Sequence, residues 1–503
     1  MLARVYSFAI DGVQTRRVAV EADVRLGLPA FTVVGLADKS VREARERVRG
    51  AIQNTGFEFP QKRITVNLAP AYLRKEGPHF DLPLAIAVLA ASEQIDPESL
   101  EGCAFIGELS MYGWVSPVRG ALAVAEGTRQ AGLTRLMLPH TRAAEAALVD
   151  GVDALGIESL THAVAVLRGQ AEPIIAAPER PPPAVGDPVD LADVRGHTGL
   201  MPAIEVAAAG GHNLFMHGPP GTGKTMIARR VPTLLPALTR EEAIEVTKIH
   251  SIAGHHDGQG LIAERPFRAP HHLISPSGLV GGGATPMPGE ITLAHRGVLF
   301  LDELSEFNRN SLEALRQPLE DGRVVVVRAQ RVLTFPTGAM LIAAANPCPC
   351  GLPDDRCRCT PAERARHDRR LSGPLLDRMD ITVHVGRPTA ARLRDEGAPS
   401  SASVRERVVA ARERQTLRLR GTSATCNAQL TPVMLRELGA ITPSARGRLF
   451  ELHDLQALTA RGHHRVLRVA RSVADLQGSD EVGPEHISAA LTLRADTAES
   501  VAA

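Results

Sequence analysis

The sequence predicts an α/β chain: a central parallel sheet with helices on both faces, an α+β domain ahead of it and a helical region behind it. Three observations carry this. The apolar run Asn213–His217 leads through GPPGTGKT (Gly218 to Thr225) into the helical pattern MIARRV, a strand–loop–helix unit. Apolar strands keep alternating with helical patterns from Asp190 to about Val385, including Val298–Leu301 with Asp302 and Glu303 at its carboxyl end. After Ser401 the pattern is almost purely helical.

Taken in order, residues 1–170 form the first domain. Its strand-like runs Phe31 to Val34, Arg63 to Asn67 and Ala104 to Ile106 alternate with helical patterns at Leu82 to Ser92 and Gly120 to Ala131. Residues 171–188, AEPIIAAPERPPPAVGDP, are too proline-rich for a packed helix and read as a semi-rigid linker. Residues 189–388 are the sheet-containing core. Pro, Gly, Ala and Ser collect again from Thr389 to Ser403, and 389–503 is the helical domain. No internal repeat of fixed period is present.

At 503 residues the chain exceeds one core. With 44% hydrophobic and 22% charged residues it has ordinary globular composition, and a formal charge of +1 confines any nucleic-acid contact to local patches. There is no secretory apolar core near the start and no long uninterrupted apolar run, so neither a signal peptide nor a membrane span is expected. Six cysteines, four of them crowded between Cys348 and Cys359, fit a reducing cytoplasm better than a disulfide scaffold.

The loop matches G-x-x-x-x-G-K-[ST]. Backbone N–H groups of Gly218, Pro219, Pro220, Gly221, Thr222 and Gly223, proline excepted, would curl around phosphate oxygens; Lys224 would reach the β- and γ-phosphates and Thr225 would ligate Mg²⁺. Asp302 would hold the Mg²⁺ of bound ATP through water, and Glu303 would polarise the attacking water. In AAA+ motors, the class these motifs suggest, an Asn at the end of a further strand helps place that water; Ala339 to Asn346 offers Asn346, whose plain alternative is a turn before Pro347. An arginine from a neighbouring subunit usually completes such a site, contributing about 10³–10⁵ in rate. Arg378 is the candidate, with Arg369 and Arg370 as rivals. Arg468 is the candidate γ-phosphate sensor, with Arg465 one turn away.

The chain resembles the ComM/YifB family of magnesium-chelatase-like AAA+ ATPases through AAAGGHNLFMHGPPGTGKT, RPFRAPHH, GEITLAHRGVLFLDEL, AANPCPCG, SGPLLDRMDI and RGHHRVLRVAR, in that order. The likeness runs nearly the whole length and departs at His197 and the adjoining Thr198 to Ile204, beside the expected adenine. It implies a hexameric ring and, for the ComM type, a helicase driving branch migration of DNA in recombination or natural transformation. Single-stranded, forked or branched DNA would be the partner. The front domain resembles the Lon-protease (S5-like) catalytic fold at Leu73 to Asp81, with His79 in the place of the nucleophilic serine and Ala-Leu-Ala-Val-Ala-Glu (121–126) where Lon carries its lysine. Without nucleophile and base it is expected to be non-proteolytic, a scaffold or a DNA-facing module.

Cys348, Cys350, Cys357 and Cys359 form C-x-C-x₆-C-x-C, a set that can enclose a structural Zn²⁺; free thiols in a loop or a reversible disulfide are the alternatives. Gly322 to Phe335 predicts a hairpin whose tip carries Arg328 and Arg331, candidate DNA-backbone contacts, with a solvated turn as the plain alternative. Arginines of the Arg265 to Gly283 segment are further candidates, whereas His271 and His272 suit a structural or pore role better than a metal. Cys103 and Cys426 read as buried small residues. The competing function is a chelatase-like ATPase that remodels a protein partner.

Overall fold

A computed structural model of the protein describes residues 1–175, 189–283, 286–328, 331–352, 356–371, 375–394, 397–456 and 459–494. The first domain is a seven-stranded mixed sheet in the order Ala30–Val34, Arg63–Ala69, Gln14–Arg25, Leu2–Asp11, Cys103–Phe105, Arg135–Pro139, Asp153–Ile157. Leu2–Asp11 and Gln14–Arg25 are an antiparallel hairpin whose alternation puts Val18, Val20 and Ala22 fully inside. Helix Asp81–Ala91 is apolar on every side and wholly buried, as a core helix must be. The expected strands and the helices at 82–92 and 120–131 are present with ends shifted by one or two residues.

Of the proline-rich linker, Ile174 is still tied to the first domain by paired backbone hydrogen bonds with Gly156; residues 176–188 lie outside the described residues. The core then forms a five-stranded, wholly parallel sheet in the order Phe267–Arg268, Val298–Leu301, Met340–Ala345, Leu214–His217, Ile381–His384. Val298–Leu301 and Met340–Ala345 are buried throughout, which explains their unbroken apolar sequences.

Helices Ser401–Arg418, Pro432–Leu438, Pro443–Gln456, Ala460–Leu476 and Pro484–Thr492 make up the carboxyl-terminal region. Several start on a hydroxyl cap: Ser400 accepts from Ser403 N, Thr431 from Met434 N, Thr459 from Gly462 N. They share one apolar core with the sheet, and Ser401–Arg418 and Ala460–Leu476 both pack on helix Met201–Gly210. The stretch from Thr389 to Ser403 is anchored where it is described: Ala398 N donates to Val194 O and Ser401 Oγ accepts from Leu191 N.

Helix Arg240–Ala253 joins the first domain to the core. Lys248 pairs with Glu126 at 2.8 Å, and Ser251 Oγ accepts from Gly120 N at 3.0 Å while donating to the Glu145 carboxylate. Arg142 donates to His256 O at 2.8 Å. Burial alone would raise the Glu145 carboxyl, but hydrogen bonds from His256, Ser251 and Leu122 N bring it below the usual carboxylate range. No helix among the described residues is long and apolar enough to cross a membrane.

Candidate active site

The phosphate loop sits at the carboxyl end of Leu214–His217, where open parallel sheets receive their ligands. Gly218 has to be glycine, because a Cβ there would lie 2.2 Å from Val385 O. Lys224 is 7% exposed; its Nζ donates to Gly218 O at 2.6 Å, Pro219 O at 2.9 Å and Asn346 Oδ1 at 3.1 Å. Burial lowers its pKa and Asp302 opposes the shift, so the ammonium stands poised beside the loop rather than in bulk water. Thr222 and Gly223 are backed by His197, a buried ring beside the loop.

Thr225 Oγ1 donates to Asp302 Oδ2 at 2.6 Å, so the two residues expected to serve Mg²⁺ are adjacent hard-oxygen donors and fit that ion. The other Asp302 oxygen accepts from Glu303 N at 2.9 Å. Glu303 adopts a left-handed backbone (φ 51°, ψ 49°), uncommon for a residue with a side chain and a mark of a constrained site. Its carboxylate is 57% exposed and meets His272 Nδ1 at 3.3 Å, a contact the sequence did not announce. Asn346 is positioned from behind, where buried His367 donates from Nε2 to its carbonyl at 2.9 Å. Lys224, Thr225, Asp302, Glu303 and Asn346 thus share one edge of the sheet.

Arg378 and Arg468 do not join them. Both line a cleft of about 1200 Å³ at the amino ends of the strands, beside Asn213 and Met340, one strand length from the loop. Arg378 pairs with Glu320. Arg465 and Arg468 face buried Asp380, whose carboxyl is raised by burial but brought below its ordinary range by His212 and these arginines. Eight arginines against four carboxylates line the cleft, which gives it an anion-attracting interior. Of the rivals, Arg369 and Arg370 are both exposed on helix Pro361–Leu371, and Arg370 reaches Ser305 O and Glu306 in the turn that follows Glu303.

The cysteines converge. All four sulfurs lie within 4.8 Å of one another, with Cys348–Cys350 at 3.4 Å and Cys357 at 3.6 Å from each. Four thiolates about 2.3 Å from one zinc stand about 3.8 Å apart, so the set fits a tetrahedral ion. Backbone N–H groups of Arg358 and Leu352 pull Cys350 down to about 6, while burial pushes Cys348 up to about 12. Gly351 (φ 66°) lets this loop rest on the phosphate loop: a Cβ there would come 2.7 Å from Pro220 Cδ. Cys103 and Cys426 are buried, as expected.

The expected hairpin is Arg323–Arg328 paired with Arg331–Pro336, and Arg328 opposes Arg331 across its end. The side chains of these two arginines and residues 329–330 lie outside the described residues. In the 265–283 segment, Arg265 is largely buried and bound to Glu242, Pro236 O and Arg296 O, and Arg268 is bidentate on Glu290 at 2.6 and 2.8 Å, so both already have partners within the chain. In the first domain His79 holds Phe8 O at 3.0 Å, and burial pushes its ring down to about 4, leaving a neutral packing group.

The strand order and this site define an AAA+ nucleotide-binding protein. The family described as magnesium chelatase, subunit ChlI, matches residues 190–393, with companion matches of the ChlI subunit at 20–142 and the ChlI carboxyl-terminal region at 398–494. The chain belongs to the ComM/YifB family of magnesium-chelatase-like proteins: it is 42% identical over 505 residues to the uncharacterized protein YifB of Escherichia coli and 41% over 501 to the competence protein ComM of Haemophilus influenzae, covering 98% of this chain and 97% of each. It is also 24% identical over 321 residues to the magnesium-chelatase 38 kDa subunit of Cereibacter sphaeroides, covering 58% of this chain and 85% of that one.

Proposed function

We propose that the protein is an ATP-hydrolysing, hexameric cytoplasmic motor that acts on DNA, a helicase or branch-migration ATPase serving recombination or transformation. The observation that carries the motor reading is the division of its catalytic groups. Lys224, Thr225, Asp302, Glu303 and Asn346 stand at one edge of the sheet, while Arg378 and Arg468 line a cationic cleft at the other. Such a chain completes its site only against a neighbour, whose nucleotide meets these arginines. In that site water attacks the γ-phosphorus as the bond to the β,γ-bridging oxygen breaks. Glu303 orients the water and takes its proton, Asn346 helps place it, Lys224 stabilises the phosphate oxygens, and the neighbour's Arg378 and Arg468 meet the charge that develops. Thr225 and Asp302 would hold Mg²⁺, which would supply positive charge to offset that of the triphosphate.

Near full-length likeness to a competence protein supports DNA as the polymer, and the hairpin ending in Arg328 and Arg331 is the surface proposed to track its backbone. The cysteine set is proposed to hold a structural zinc. A second reading, remodelling of a protein partner, is favoured by the likeness to the magnesium-chelatase subunit. A mobile four-way junction distinguishes them. The motor reading expects ATP, and not a non-hydrolysable analogue, to convert junctions into duplex products. Intact junctions alongside brisk ATP hydrolysis would instead favour a protein partner.

A further inference from the structure

We infer that His272 is a positioning residue for Glu303 in ATP hydrolysis, an assignment that rests on the ATPase reading above. The two residues lie far apart in sequence and meet because Phe267–Arg268 pairs in parallel with Val298–Leu301. That register delivers the loop after Arg268 and the turn after Leu301 to the same edge of the sheet. His272 Nδ1 stands 3.3 Å from Glu303 Oε2.

The imidazole is held on two sides. His271 lies against it with ring centres 4.1 Å apart, and the edge of Phe307, itself buried, approaches at 6.5 Å. His271 is fixed in turn by Leu273 N, which donates to its Nδ1 at 3.3 Å, and by Ile274 N, which donates to its carbonyl at 3.0 Å. Behind the loop, the bidentate Arg268–Glu290 pair and the hydrogen bond from Ser311 Oγ to Ile274 O, 3.0 Å, pin both ends. A mobile solvent-facing carboxylate gains little catalytic advantage unless something fixes its rotamer. The Glu303 side chain is 57% exposed, and among the described residues the His272 ring lies against its Oε2. An N–H from Nδ1 satisfies that oxygen and leaves the other for the lytic water.

The segment also has a route to the polymer. Leu273, next to His272, is 80% exposed, and the chain runs on through helix Pro276–Val280 to Gly281–Gly282, which lies beside hairpin strand Arg323–Arg328. Displacement of that hairpin therefore has a short path to the group that orients Glu303, across this packing contact and then back along the chain from Gly281 to His272.

The test is steady-state hydrolysis by the full chain, with ATP affinity measured separately using a fluorescent ATP analogue. His272→Ala is expected to lower kcat by about 10- to 100-fold with affinity within about twofold. His272→Asn, whose side-chain amide can place a donor near the Nδ1 position, is expected to recover most of the lost rate. Unchanged kcat in His272→Ala would overturn the inference. So would a loss of ATP affinity matching the loss of rate and unrelieved by His272→Asn, because that pattern marks a merely structural histidine. A wild-type chain that binds ATP without hydrolysing it would overturn the ATPase reading itself, a result distinct from any pattern among the variants.

Discussion

Glu303→Gln is expected to lower ATP turnover by about 10²- to 10⁴-fold while leaving ATP affinity within about twofold. The separation follows from the geometry. Lys224 is tied to Gly218 O, Pro219 O and Asn346, and Thr225 is tied to Asp302, so the groups that hold phosphate and metal do not lean on the Glu303 side chain. The amide keeps the size of the carboxylate and its place at the end of Val298–Leu301, but it cannot take a proton from water. Lys224→Ala makes the natural contrast, since it removes the cation that meets the β- and γ-phosphates and is expected to lose binding first. Coupled-assay kinetics with nucleotide titration read both. Parallel loss of binding and turnover in Glu303→Gln would mean that the side chain shapes the loop rather than the chemistry.

The second large effect concerns the cysteine set. Protein purified without chelator is expected to carry about one zinc per chain, and Cys357→Ser to lose it. A ligand held at a thousandfold excess over its Kd stabilises by about 4 kcal/mol, so the unfolding transition of the ATPase core is expected to fall by about 10 °C. Turnover should fall as well. Cys348 follows Asn346 by two residues, and Gly351 rests against Pro220, so slackening this loop loosens both the residue that meets Lys224 and one wall of the phosphate loop. Metal analysis and thiol titration on the same sample decide the alternatives. Titrated in denaturant, so that buried Cys103 and Cys426 also react, six thiols without metal would mean free cysteines, and fewer thiols without metal would mean a disulfide.

Much of this site was legible because its residues are local to their motifs. Lys224 and Thr225 are adjacent, Asp302 and Glu303 end an unbroken apolar strand, and Asn346 ends another; each needs only the rule that parallel strands deliver ligand groups at their carboxyl ends. What escaped depends on which strand lies beside which. His272 reaches Glu303 only through the pairing of Phe267–Arg268 with Val298–Leu301. Arg378 lies at the opposite edge because it precedes Ile381–His384, the outer neighbour of Leu214–His217, and no spacing reveals that order. Arg265 and Arg268 looked available to DNA because their partners Glu242 and Glu290 belong to separate helices. In the first domain the hairpin Leu2–Asp11 and Gln14–Arg25 went unremarked, since Arg16 and Arg17 interrupt its apolar alternation near the turn.

In the proposed motor, one chain supplies Glu303 and another supplies Arg378 to the same ATP. Mixing tests this most directly: Glu303→Gln and Arg378→Ala chains are prepared separately, assayed alone, then combined at equal concentration under conditions that allow subunits to exchange. Each alone is expected to be nearly inactive. Together they are expected to recover hydrolysis, because about a quarter of the interfaces then pair an intact Glu303 with an intact Arg378. A mixture no more active than its components, with exchange verified by a fluorescent label, would contradict the shared site.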